Sequence, residues 1–156
     1  CRGIDISQEQ LAEEMGTDAH FGTHNANAIQ ELNQHLFGYP EPTDGQAGYR
    51  LETVRSSSSN SIDMRLFKER LKKNIDAGYP LYYTFDNSKM YPGRSGEHNV
   101  IGIGYELNSD ASDIIGVYYI DPSYTVQDPV YGGLKKVTPQ ELLAAMLTCQ
   151  EPNYAW

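Results

Sequence analysis

Cysteine is scarce in this sequence of 156 residues, which contains only Cys1 and Cys149. Two cysteines are too few for a disulfide-stapled scaffold, and these two lack the paired spacing of a zinc site. The sequence leaves a single bridge between them open, because bridging needs Cα atoms within about 7 Å. Glycine-rich phosphate loops, dinucleotide fingerprints, metal motifs and internal repeats are also missing. We therefore expect no cofactor and no metal ion.

Long apolar runs and positive charge are missing as well. No stretch approaches the roughly 20 apolar residues of a transmembrane helix or resembles a signal peptide, so we expect neither membrane insertion nor a signal peptide. Lysine and arginine number 12 against 21 acidic residues, and the resulting net charge of −9 argues against a nucleic-acid partner. Tyrosine is abundant, with 12 residues. Tyrosine-rich strands of mixed polarity favour a secreted or surface enzyme.

Helix signals dominate the first half of the chain and strand signals the second. Capping boxes that begin at Ser7 and Thr138 mark the starts of two helices. The other predicted helices span 25–37 and run from Ser61 or Asp63 to Ala77. Strands are predicted at 49–55, 80–86, 98–107, 114–120 and 134–137, and another begins at Asn153. Because the two kinds of element are segregated, an α+β domain is favoured over alternating βαβ units.

Two residues at the open end of a predicted hairpin suggest chemistry. His98 begins one strand, Asp121 ends the next, and the polar cluster 108–113 separates them. A turn centred between Ser109 and Asp110 would place His98 opposite Asp121, with Cβ atoms roughly 5 Å apart on one face. An imidazole held by a carboxylate is the base and its orienting group in a nucleophilic triad.

The alternative interpretation of this pair is structural. Histidines are common at strand starts, and the Asp121-Pro122 dipeptide is ordinary turn chemistry. A register slip of one residue would send His98 and Asp121 to opposite faces. The remaining histidines, His20, His24 and His35, fit no familiar metal spacing and are interpreted as surface or loop residues.

Five segments occur in an order that resembles a known family. They are 5–17, 66–81, 96–105, 118–122 and 137–143. Together they resemble papain-like cysteine peptidases of the bacteriocin-processing type, which cut after paired glycines, and more closely the secreted bacterial peptidase-like relatives of that type. The resemblance implies a papain-like α+β fold, with helices packed on a twisted antiparallel sheet. Glu97 stands where glycine usually precedes the catalytic histidine.

The resemblance also implies a function and its residues. His98 and Asp121 match the catalytic histidine and aspartate, and the nucleophile would be a cysteine acting on peptide or amide bonds without a cofactor. The expected partner is a peptide or protein substrate, and the expected location is outside a bacterial cell or on its surface. The tyrosine pairs 82–83 and 118–119 could line a peptide groove, although such residues are more often packing residues of a sheet.

The nucleophile is where the sequence departs from the family. There, the cysteine starts a helix that precedes the segment at Asp5 by a helix length, with an oxyanion-hole glutamine just before it. Here only four residues precede Asp5, so Cys1 falls near the end of that helix. We therefore expect one papain-like domain over 1–156 that lacks the nucleophile helix and the end of its last strand. Cys149 follows the last helix, where the dipole disfavours a thiolate.

Three alternatives for the nucleophile stay open. Residues absent from this sequence could supply it. The chain could instead be a catalytically inactive binding module of a larger secreted or surface protein. In the third alternative, Cys1 reaches His98 by an unexpected path.

The first testable expectation is that residues 1–156 alone do not cleave peptides. A triad acts as a unit, and a missing oxyanion-hole donor costs on the order of 3 kcal/mol of transition-state stabilisation. Peptide-library hydrolysis by the purified chain measures this. Cleavage by the chain that disappears on Cys1→Ser would contradict it.

Overall fold

Six strands form one sheet in a computed structural model that describes residues 3–156. The strands are β1 (Leu51–Thr53), β2 (Leu81–Asp86), β3 (Glu97–Leu107), β4 (Ile114–Ile120), β5 (Leu134–Val137) and β6 (Asn153–Ala155). The described helices are α1 (Gln8–Glu14), α2 (Asn25–Phe37), α3 (Ile62–Asp76), α4 (Asn87–Met90) and α5 (Pro139–Met146). The strand order is β1-β6-β2-β3-β4-β5, and the pairs from β2 to β5 are antiparallel. The predicted α+β class is confirmed.

The chain divides into two units by its internal contacts. The first unit extends to Leu51 and includes Ala155, and the second contains Glu52–Tyr154 and Trp156. The expectation of a single domain stays a prediction. Within residues 3–156, no helix combines the length and the apolar character needed to cross a membrane.

In the first unit, the buried Asn33 of α2 organises the chain that follows the helix. Its side-chain amide accepts a hydrogen bond from the Tyr49 N–H at 2.7 Å and donates one to the Tyr49 carbonyl at 2.8 Å. The strand predicted over 49–55 is reduced to β1, because the backbone of Tyr49 is paired in this way at one end and the Arg55 N–H donates to the Asp63 carboxylate at the other. The capping box predicted at Ser7 is half formed. The Ser7 hydroxyl accepts from the Gln10 N–H, whereas the Gln10 side chain donates to Glu14.

In the second unit, α3 and α5 share one apolar core with the sheet. Both helices begin as predicted, because the Ser61 hydroxyl caps α3 and Thr138 forms a complete capping box with Glu141. The fully buried core side chains include Phe67, Leu71, Tyr83, Phe85, Val117, Tyr119, Leu142 and Leu143. Helix α4 lies in a segment for which the sequence predicts neither a helix nor a strand. Asp86 caps this single turn by accepting a hydrogen bond from the Ser88 N–H.

The β3–β4 hairpin differs from its predicted register. The Asn108 N–H donates to the Asp113 carbonyl, and Ile101 pairs with Ile120, so the turn is centred one position further along than predicted. His98 and Asp121 are therefore diagonal rather than directly opposite. The displacement is an even number of residues, so both side chains still lie on one face of the sheet. Two register shifts within the hairpin cancel each other.

A close contact at Gly102 gives a testable prediction about this core. An ideal Cβ at Gly102 would lie 2.3 Å from Cζ of the buried Tyr83 ring. We expect Gly102→Ala to lower the free energy of unfolding by roughly 1–3 kcal/mol, because overpacking must displace a ring that is 0% exposed. Urea denaturation measures the change.

Gly104→Ala is the matched control, since its Cβ would meet only Tyr118 at 3.6 Å, which is ordinary van der Waals contact. Equal stability losses in the two variants would contradict this account of Gly102.

Candidate active site

The structure brings His98 and Asp121 into contact. Nε2 of His98 lies 2.8 Å from Oδ1 of Asp121. The Asp121 side chain is 0% exposed and the His98 side chain is 21% exposed. The imidazole also packs edge-on against the Phe85 ring, with centroids 5.7 Å apart. The imidazole therefore has one side fixed inside the protein and another within reach of solvent.

The Asp121 carboxylate accepts three hydrogen bonds. Oδ1 accepts hydrogen bonds from the His98 ring and from the Ser123 N–H, each at 2.8 Å. Oδ2 accepts one from the Tyr91 hydroxyl at 2.8 Å. Burial acts to raise the pKa of Asp121. The hydrogen bonds from His98, Ser123 and Tyr91 outweigh burial, so the pKa of Asp121 lies below its ordinary value. The carboxyl group is therefore ionised at neutral pH.

The ionised carboxylate determines the tautomer of His98. An ionised carboxylate only accepts hydrogen bonds, so the proton of the neutral imidazole is inferred to lie on Nε2. Nδ1 then carries the free lone pair. Among residues 3–156, the His98 ring has no hydrogen-bond partner other than Asp121. The arrangement leaves Nδ1 available to take a proton from a nucleophile.

The backbone around Asp121 depends on a close approach by Gly133. The Asp121 N–H donates to the Gly133 carbonyl at 2.9 Å. An ideal Cβ on Gly133 would lie 2.2 Å from the Asp121 carbonyl oxygen. Any side chain at this position would therefore push the chain entering β5 away from the aspartate.

Three residues around the dyad escaped the sequence reasoning. Tyr91 gave no signal beyond its place in the segment before His98. Ser123 could have been found, because an aspartate commonly accepts a hydrogen bond from the backbone two residues further on. Gly133 has an ordinary place between a turn and a strand, and its contact with Asp121 is visible only in the fold.

The structure shows a thiol at Cys149 that is unsuited to nucleophilic attack. Cys149 is a free, half-buried cysteine whose Sγ lies 3.7 Å from the Ala145 carbonyl. Burial raises the pKa of the Cys149 thiol to about 12, and the Glu97 and Asp86 carboxylates act in the same direction. The thiol is therefore protonated at neutral pH. Cys1 lies outside the described residues, so its relation to His98 stays open.

The other histidines lie in the first unit. His35 is a half-buried residue of α2 rather than a loop residue, and its Nε2 lies 2.6 Å from a Glu14 carboxylate oxygen. Glu31 adds a third ligand-type atom nearby, making this the only such group found among residues 3–156. Two of the three residues, His35 and Glu14, already bind each other. His24 packs against the Phe21 ring, and His20 is exposed.

Only one tyrosine of each pair could line the suggested groove, because the other is buried. Tyr83 and Tyr119 are buried in the core of the second unit, with 0% and 1% exposure. Their neighbours Tyr82 and Tyr118 are half-buried. The packing interpretation is therefore correct for Tyr83 and Tyr119.

A buried aspartate that holds a half-buried histidine is the arrangement of a base and its orienting group in nucleophilic triads. A family model described as the Peptidase_C39 like family matches residues 1–144. The chain belongs to this family and is a cysteine peptidase-like domain with a papain-like fold. No curated protein and no solved structure matches the chain significantly.

The depressed pKa of Asp121 predicts how acid affects stability. Because the pKa is lower in the folded than in the unfolded chain, the ionised carboxylate stabilises the fold above the unfolded value of about 4. This contribution is lost as the pH falls through the folded pKa. Asp121→Asn cannot ionise, so the stability difference between wild type and variant should be largest near neutral pH and shrink towards pH 3.

Denaturant titrations of both proteins between pH 3 and pH 7 measure that difference. A difference that is constant over this range would show that Asp121 does not titrate as the geometry requires.

Proposed function

We propose that this protein hydrolyses peptide or amide bonds with a Cys/His/Asp triad, in which His98 is the general base and Asp121 orients it. The observation that carries the proposal is the 2.8 Å bond between His98 Nε2 and the fully buried Asp121 carboxylate. Membership of a cysteine peptidase-like family supports the reaction class. The catalytic roles of the two residues are part of the proposal.

The proposed reaction uses the free nitrogen of His98. Nδ1 accepts the proton of the cysteine thiol, and Asp121 stabilises the resulting imidazolium through Nε2–H. The thiolate attacks the scissile carbonyl carbon, and the imidazolium returns its proton to the departing amine. A water molecule, deprotonated by Nδ1, then attacks the acyl-enzyme, and the thiol is released as the acid product forms.

The nucleophile in this proposal is a cysteine on the N-terminal side of Asp5, with Cys1 as one candidate. The alternative function is a catalytically inactive papain-fold binding module. One observation favours it: the only cysteine among residues 3–156 is Cys149, whose thiol is protonated at neutral pH. The two functions differ in whether a thiol elsewhere in the protein becomes reactive through His98.

The proposed substrate and location come from the resemblance to the bacteriocin-processing type. We propose a peptide or protein substrate, and a place outside a bacterial cell or on its surface, with no nucleic-acid partner. The net charge of −9 supports the last point, because a phosphate backbone would be repelled. A cleavage profile from a peptide library would identify the substrate class, and preference for paired glycines would support the processing type.

Labelling by a thiol-directed peptidyl electrophile tests the enzymatic function. We expect the natural protein to be labelled at one cysteine other than Cys149. His98→Ala should slow labelling by about 100-fold or more, because a positioned base contributes on that scale. Mass spectrometry of the labelled peptide over time gives both the site and the rate.

Two variants control this experiment. His20→Ala removes an exposed histidine of the first unit, and Cys149→Ser removes the half-buried thiol. Both should label at the wild-type rate. Labelling of His98→Ala at the same rate as wild type would reject the triad and favour the binding module.

A further inference from the structure

We propose that Tyr91 is a positioning residue of the dyad, and that Tyr119 supports it through a directed chain of hydroxyl groups ending at Asp121. The Tyr91 hydroxyl lies 2.8 Å from Oδ2 of Asp121 and 3.0 Å from the Tyr119 hydroxyl. The role of these hydroxyl groups in catalysis rests on the function proposed above, whereas their effect on Asp121 does not.

The direction of the hydrogen bonds follows from counting protons. A tyrosine hydroxyl carries one proton, and an ionised carboxylate can only accept. Tyr91 therefore donates to Asp121, and the proton in the bond between the two tyrosines comes from Tyr119. Burial raises the pKa of Tyr91 and of Tyr119 above the ordinary value, so both hydroxyls remain donors at neutral pH.

Tyr91 is held in place independently of Asp121. Its N–H donates to the Asn87 carbonyl at 2.8 Å, which closes the turn of α4. Its ring packs edge-on against Phe85, with centroids 6.1 Å apart. Phe85 also packs edge-on against His98 at 5.7 Å and against Tyr119 at 5.8 Å. One buried ring thus contacts the base and both hydroxyl-bearing rings.

The Tyr91 bond restricts the carboxylate to one orientation. Oδ1 accepts hydrogen bonds from His98 and the Ser123 N–H, whereas Oδ2 accepts one from Tyr91. Rotation of the carboxylate would break bonds on both oxygens, and the Asp121 side chain is 0% exposed, so water cannot replace them. Without the Tyr91 hydroxyl, Oδ2 would be a buried acceptor with no donor, and the ionised form would lose stabilisation. The hydroxyl therefore fixes both the charge and the angle of the group that holds His98.

Tyr91→Phe tests the proposal in the natural chain. The carboxyl titration of Asp121, followed by ¹³C NMR, should move to higher pH because a donor to the ionised form is lost. The hydrogen-bonded Nε2–H proton of His98 should broaden or disappear. The rate of thiol labelling should fall roughly tenfold, since a hydrogen bond to a charged group acts on that scale.

Tyr105→Phe is the matched control. The Tyr105 hydroxyl donates to Asp76 at 2.6 Å, so this variant also deletes a tyrosine–carboxylate bond in the second unit. It should leave the Asp121 titration, the His98 N–H signal and the labelling rate unchanged. Tyr119→Phe should shift the Asp121 titration in the same direction as Tyr91→Phe, by a smaller amount, and it serves as the test if Tyr91→Phe does not fold.

The outcomes separate this inference from the proposed function. An Asp121 titration and a His98 N–H signal that are unchanged in the folded tyrosine variant would overturn the positioning role, even if stability fell. An Asp121 shift with no His98-dependent labelling in wild type would keep the positioning role and reject the enzyme.

Discussion

The second unit is organised around one buried negative charge, the carboxylate of Asp121. An ionised group without solvent contact is costly unless charge and hydrogen bonds compensate it. The compensating donors come from three places in the chain: the start of β3, the residue after α4 and the turn that follows β4. Each donor must lie within hydrogen-bonding distance of its oxygen, and all three do so at 2.8 Å. The position of His98 is therefore coupled to segments that are distant from it in sequence.

The sheet supplies the second constraint, because side chains along a strand alternate between its two faces. His98 and Asp121 share a face because the hairpin register differs from the predicted one by an even number of residues. The two register shifts inside the hairpin would each reverse the faces on their own. Glycine permits the closest approaches nearby, since Gly102 lies under the Tyr83 ring and Gly133 lies against the Asp121 carbonyl.

The predictable parts of the fold are those that local chemistry determines. Helix α2 and strand β5 have their predicted bounds, and Thr138 starts α5 with the predicted capping box. The dyad could be found because strand alternation is a local rule. The shortened β1 could not, because Asn33 binds the Tyr49 backbone from 16 residues away and Asp63 binds the Arg55 N–H from 8 residues away. The contact of Tyr91 with the dyad could not be predicted for the same reason, since its hydroxyl donates to a carboxylate 30 residues further along the chain.

The departure from the family pattern at Glu97 is explained by the same alternation. Neighbouring strand residues point to opposite faces, so a side chain at 97 does not occupy the face of His98. The pairing of β2 with β3 is regular here, with Asp86 opposite Glu97 and Phe85 opposite His98. The Glu97 carboxylate accepts the Gln150 N–H, beyond the end of α5. Strand β3 thus carries Glu97 on one face and the His98 imidazole on the other. The Glu97 charge disfavours the thiolate form of Cys149. Any thiol activated by His98 must approach from the His98 face, where the Asp121 charge can stabilise the imidazolium.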